Sequence, residues 1–149
     1  PSMESTMFQD NRVLVNKLSY RLHDIRRGDV VVFDRITTDG EVIQHDDLIK
    51  RVIALPGETI EIHECVVSID GKELPEPYLN DYDVQQVNLE DRCRVPELEP
   101  IKVSEDHIFV MGDNRPQSFD SRMFGEIETE LVVGRAFGLI WPLSDARWL

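Results

Sequence analysis

The residue in this chain best placed for chemistry is a lysine. Lys50 stands in "DLIKRVIALPGE". In a strand, Leu48, Lys50, Val52 and Ala54 share one face while Ile49, Arg51, Ile53 and Leu55 share the other. Apolar neighbours on its own face disfavour the ammonium form and lower its pKa, which is what a general base needs. At the ordinary pKa of about 10.4 only about one lysine in a few thousand is neutral at pH 7. Burial therefore has to outweigh the acidic character of the chain. A lysine standing alone would more simply carry its charge to water along an apolar stem.

A hydroxyl is the natural partner for such a base. Ser2 opens the chain in "PSMESTMF" with no histidine close by. It is either a frayed terminal residue or a nucleophile whose base comes from far along the chain. His23, His45, His63 and His107 lack a companion motif and read as surface or strand-edge residues, and neither Cys65 nor Cys93 sits in a nucleophile setting. A third segment, "MGDNRPQSFDSRMFGEI", packs Asp113, Arg115, Asp120 and Arg122 into alternating charges that can pair with one another and stiffen a loop. Ser118 and Ser121 add hydroxyls able to orient another group. The expected role of this segment is shape and support.

The elements that must position these groups are short β-rich runs separated by turns: "RVLVN", "DVVVFDRI", "LIKRVIAL", "TIEIH", "CVVSI", "HIFVMG" and "LVVGRAFGLIW". The pattern predicts a mostly β fold of antiparallel sheets with little helix, one short turn near "EIETEL" apart. Asp70-Gly71 is the strongest hairpin signal, with Pro56-Gly57 and Gly28-Asp29 as further turns. Residues 1–149 fit a single domain. The acidic, proline-containing stretch of residues 75–105 reads as an excursion from its core.

Composition narrows the partners. Lys and Arg number 16 against 29 Asp and Glu, a net charge of −13, which repels phosphate backbones and excludes nucleic acid as an expected partner. No stretch is apolar enough to span a membrane, so the chain as it stands reads as soluble, its start at "PSM" implying that an upstream segment has been removed. Cys65 and Cys93 lie 28 positions apart, which fits two free thiols or a disulfide. Trp141 and Trp148 flank Pro142; core packing is the first expectation for them and a lipid interface the second.

Taken together, these segments resemble type I signal peptidase, a membrane-bound serine protease that removes export signals with a Ser–Lys dyad. "SMESTM" resembles its nucleophile box, "RRGDVVVF" its strand box, "KRVIALPGE" its lysine box and "GDNRPQSFDSRMFG" its last box. They occur in the family's order, continue to "GLIWP", and cover nearly all of the chain outside the acidic excursion.

The resemblance implies roles residue by residue. Ser2 matches the nucleophile and Lys50 the general base, 48 positions downstream. Ser118 matches the residue that hydrogen-bonds the lysine amine. Asp120 and Arg122 match a structural ion pair, with Asp113 and Arg115 in the same supporting layer and Gly112 at the tight start of the box. Met3, Met7, Leu48 and Ile49 match positions lining shallow pockets for small residues before the cut. The Ser2 N–H would be one oxyanion donor; the family's second, a serine two positions before the nucleophile, falls ahead of residue 1. Ser5 and Asp10-Asn11 depart from the proline and the Gly-Asp pair frequent in the family. No metal or organic cofactor is implied. The implied partners are signal peptides of preproteins and, through an upstream anchor, the bacterial cytoplasmic membrane, with the catalytic part on its outer face.

Two other readings remain open on sequence. One is a self-cleaving repressor type of Ser–Lys peptidase, against which the long "GDNRPQSFDSR" segment argues. The other is a non-catalytic β domain that holds extended peptides. An N-terminal-nucleophile hydrolase is disfavoured by Pro1.

Overall fold

The computed structural model describes residues 2–4, 6–17, 24–39, 42–79 and 88–149; Ser5, His23 and residues 80–87 of the acidic stretch lie outside them. In chain order the elements are β1 (Arg12–Asn16), β2 (Val30–Asp39), β3 (Val42–Ala54), β4 (Thr59–His63), β5 (Val66–Ile69), β6 (Lys72–Glu73), α1 (Leu89–Cys93), β7 (Leu98–Lys102), β8 (His107–Met111), α2 (Ser121–Phe124), β9 (Ile127–Glu128), β10 (Val132–Trp141) and β11 (Arg147–Trp148). The predicted strands are all present, and the turn expected near "EIETEL" is a 3-10 turn over Thr129–Leu131.

Among the described residues the strands form two antiparallel sheets. The larger runs β1-β10-β2-β3-β8-β9, with β11 added to β10, and the smaller runs β6-β5-β4-β7. β-Branched runs such as "VVVF" and "RVIA" supply the long central hairpin of β2 and β3, which pairs from Val30↔Arg51 to Asp39↔Val42. The Asp70-Gly71 turn joins β5 to β6 with φ of 50° and 74°. Glycine adopts that backbone without strain and aspartate tolerates it, so this dipeptide makes the tight primed turn. Gly28, at φ 88°, turns the chain into β2 and is locked onto β3 by Gly28 N–H to Val52 O and Val52 N–H to Asp29 O, both 2.8 Å.

Three buried clusters hold the sheets. Ile53, Ile60, Ile62, Val67, Phe109 and Met111 pack the small sheet against the ends of β3 and β8. Val31, Phe33, Val52, Ile108, Val110 and Ile127 fill one face of the large sheet. Met3, Met7, Val30, Ala136 and Leu139 bury the nucleophile segment against β2 and β10. The β3–β8 register shifts between Val52 and Ala54. That irregularity ends the simple alternation: Ala54 joins Ile53 in the first cluster, whereas Leu48 and Val52 belong to the second.

Three features differ from expectation or settle an open choice. The acidic stretch carries β7, which pairs with β4; its "LEPIK" residues are almost all exposed, so no buried face marks it in the sequence. Cys65 and Cys93 form a disulfide. Trp141 and Trp148, expected to pack in the core, are 50% and 79% exposed, because Trp141 ends β10 and Trp148 lies on the two-residue edge strand β11; Arg12 lies 5.9 Å over the Trp141 ring. Phe137 stacks on Trp148 at 5.9 Å. Among the described residues no helix is long and apolar enough to cross a membrane.

Candidate active site

β3 carries Lys50 opposite Val31 of β2, one residue before its pairing with β8 begins. Its side chain is 3% exposed, and Nζ donates to Ser2 Oγ at 2.8 Å and to Ile49 O at 2.9 Å. Burial pushes the amine below its ordinary pKa, and the charge of Asp120 opposes that only in part. Desolvation dominates because the nearest carboxylate is already committed to another cation.

That cation is Arg122. Its Nε and Nη2 reach Asp120 Oδ1 and Oδ2, both at 2.8 Å, and both side chains are buried. Burial alone would raise the Asp120 carboxyl, but the hydrogen bonds and charge of Arg122, with Ser118 and the Gly112 N–H, hold it below its usual value. Asp120 also caps α2 by accepting from Arg122 N. Arg122 anchors further to Arg115 O at 3.0 Å and to Cys93 O, next to the disulfide.

The other charges of this segment pair outward instead of with one another. Asp113 takes Arg51 on both oxygens, at 2.9 and 2.7 Å, and accepts from the Thr6 hydroxyl. Arg115 pairs with Glu76, a partner 39 positions away that no local pattern reveals. Asn114 N–H donates to Ser2 O at 3.0 Å, tying the nucleophile's own backbone to this loop. Gly112 is needed for space: a Cβ there would lie 2.2 Å from Ser118 Oγ and 2.3 Å from Ser2 O.

Ser118 departs from its expected contact. Its hydroxyl is buried beside Asp120 without a hydrogen bond of good geometry, and the Lys50 amine is turned to Ser2 and Ile49 instead. Of the four expected pocket residues, Met3, Met7 and Ile49 pack into one cluster, whereas Leu48 packs on the opposite side of β3. Among the described histidines, His45 faces Asp34, His63 faces Glu97 and His107 faces the Glu105 carbonyl, all away from this centre. Among the described residues no cluster of potential metal ligands occurs.

A hydroxyl in contact with a dry amine, backed by a buried ion pair, can perform acyl transfer. Residues 1–141 match the family model described as signal peptidase, peptidase S26. The chain is 38% identical to signal peptidase I of Bacillus caldolyticus, over 97% of this chain and 77% of that protein. It is 37% identical to a Synechocystis protein named "Probable signal peptidase I-2", over 95% of this chain. The chain spans 60% of the length of that Synechocystis relative. A crystal structure of a signal peptidase I from Enterococcus faecalis superposes with a TM-score of 0.59 at 30% identity, covering 76% of this chain and 97% of that one. Motif order, architecture and these likenesses converge, and the chain belongs to the signal peptidase family, peptidase S26.

Proposed function

We propose that this chain is the catalytic part of an endopeptidase that cuts signal peptides from exported preproteins after small residues, with Ser2 as nucleophile and Lys50 as general base. The observation that carries this reading is the 2.8 Å contact between Lys50 Nζ and Ser2 Oγ around a buried amine. A neutral Lys50 takes the Ser2 proton as Oγ attacks the scissile carbonyl. The resulting lysinium protonates the departing amine, leaving an acyl-enzyme. Lys50 then activates water to release the acyl group. The Ser2 N–H supports the oxyanion.

The substrate enters as an added strand. Among the described residues, β8 pairs with β3 only from Arg51 onward, so the edge of β3 leading to Lys50 is open to an extended peptide. Met3, Met7 and Ile49 border that approach and favour small side chains. The outer edge formed by Leu14, Ile140, Trp141, Leu143 and Trp148 is exposed and faces the lipid from which a signal peptide emerges, with the catalytic part on the outer side of the cytoplasmic membrane.

The test is cleavage of a signal-bearing precursor by the membrane-anchored protein. Ser2→Ala and Lys50→Ala are each expected to abolish cleavage, and a covalent acyl-enzyme at Ser2 is expected by mass spectrometry. Cleavage that survives either substitution rejects the dyad.

A further inference from the structure

Beyond the dyad and its family boxes, two residues of the acidic stretch close a ring of buried charge around it. Glu76 takes Arg115 on both oxygens, one contact at 2.9 Å, with side chains only 11% and 6% exposed. The Tyr78 hydroxyl donates to Glu76 Oε1 at 2.7 Å, and the Arg51 guanidinium lies 4.0 Å over the Tyr78 ring. Arg51 in turn holds Asp113, and Arg115 Nε donates to Gly112 O at 3.0 Å. The circuit runs Glu76, Arg115, the 112–115 backbone, Asp113, Arg51 and Tyr78, back to Glu76. Its two arginines balance two carboxylates, while burial, followed by the charge and hydrogen bond of Glu76, keeps the Tyr78 hydroxyl protonated.

The circuit touches both halves of the dyad without touching the reacting atoms. Arg51 is the residue after Lys50 on β3. The 112–115 loop holds Ser2 through the Asn114 N–H. Four buried charges carry a desolvation cost that their mutual attraction only offsets, so such a network contributes position more than stability. Displacement of a reacting group by about 1 Å can cost about a hundredfold in rate.

We propose that Glu76 and Tyr78 are positioning residues that fix the Ser2 loop against the Lys50 strand, acting through Arg115 and Arg51. The proposal rests on the protease reading for its effect on rate, but its geometric content is independent of turnover. The experiment compares Glu76→Gln, Tyr78→Phe and Tyr78→Leu in the membrane-anchored protein. It measures kcat and KM on a signal-peptide substrate, and the titration of the Lys50 side chain by NMR in the soluble part.

Glu76→Gln and Tyr78→Leu are expected to lower kcat by about tenfold or more with KM within about twofold. Both are expected to raise the Lys50 midpoint, since a loosened amine gains water while Asp120 remains beside it. Tyr78→Phe keeps the ring under Arg51 but loses the hydroxyl link to Glu76, and is expected to lower kcat by less than Tyr78→Leu does. A folded Glu76→Gln protein with unchanged kcat and Lys50 titration overturns the proposal, as does a loss of kcat that leaves the Lys50 midpoint in place. Should Glu76→Gln fail to fold, Tyr78→Leu decides by the same outcomes. If Ser2→Ala still cleaves, the Ser2–Lys50 dyad fails, and the Lys50 titration in Glu76→Gln still decides whether the ring positions that amine.

Discussion

Lys50 acquires its reactivity and its cost from the same burial. The native amine titrates below its ordinary value of 10.5, so between the folded and unfolded values the unfolded chain holds more protons. Stability therefore rises with pH through that window. Below the folded value the penalty is fully present; above 10.5 it is gone. Replacing Lys50 with the apolar, similarly long methionine is expected to stabilise the protein at pH 7 by on the order of 1–3 kcal/mol. Urea unfolding checks this, and the difference should shrink as the pH approaches 10.5. Activity carries the matching signature: kcat/KM should climb as Lys50 deprotonates and flatten below 10.5. Lys50→Arg should be inactive, because guanidinium does not release its proton in this range. A rate independent of pH across the neutral range would contradict a lysine base.

The loop between β8 and α2 turns that amine into a site, and its tightest point is Gly112. A methyl group there meets the Ser2 carbonyl, which is backbone, and the Ser118 hydroxyl, which is buried, and neither can yield without moving the dyad. Gly112→Ala is expected to lower kcat by about a hundredfold and stability by about 1–3 kcal/mol, read by steady-state kinetics and thermal melting. The Cys65–Cys93 bridge supports the same loop from behind, since Arg122 donates to Cys93 O. The loop-entropy relation puts its contribution at about 3–4 kcal/mol, so Cys65→Ser with Cys93→Ser should lower the urea midpoint correspondingly. Strands and the Asp70-Gly71 turn were legible because alternation and backbone preference are local signals, whereas Ser2, Lys50 and Asp120 were singled out by the order of motifs that resemble one family's boxes. Glu76 with Arg115, the cysteine pairing and β7 were not legible, because each depends on contacts tens of residues away or on a strand with no buried face. The tryptophans misled for a related reason: an apolar side chain at a sheet edge looks the same in sequence whether or not anything covers it.

At the scale of the molecule, the segment that carries Ser2 packs against β10 and β11 beside the site. Met3 and Met7 pack with Ala136 and Leu139, Leu149 closes the cluster, and Arg147 donates to Thr6 O. The same corner exposes Leu14, Ile140, Trp141, Leu143 and Trp148, while the whole chain carries a net charge of −13. Apolar side chains at this edge gain about 1.5–3 kcal/mol each on full transfer from water, and tryptophan favours the headgroup region, where its N–H stays wet. Net negative charge opposes approach to an anionic surface within a Debye length of about 10 Å at 0.1 M salt. If this edge rests on lipid, the protein should bind zwitterionic vesicles more tightly than anionic ones at low salt, and added salt should narrow the gap. Tryptophan emission should shift to the blue on binding. Trp141→Ser with Trp148→Ser should weaken vesicle binding by about tenfold or more while leaving cleavage of a soluble peptide within about twofold. Equal vesicle binding by the parent and the double variant would show that this edge does not meet the membrane.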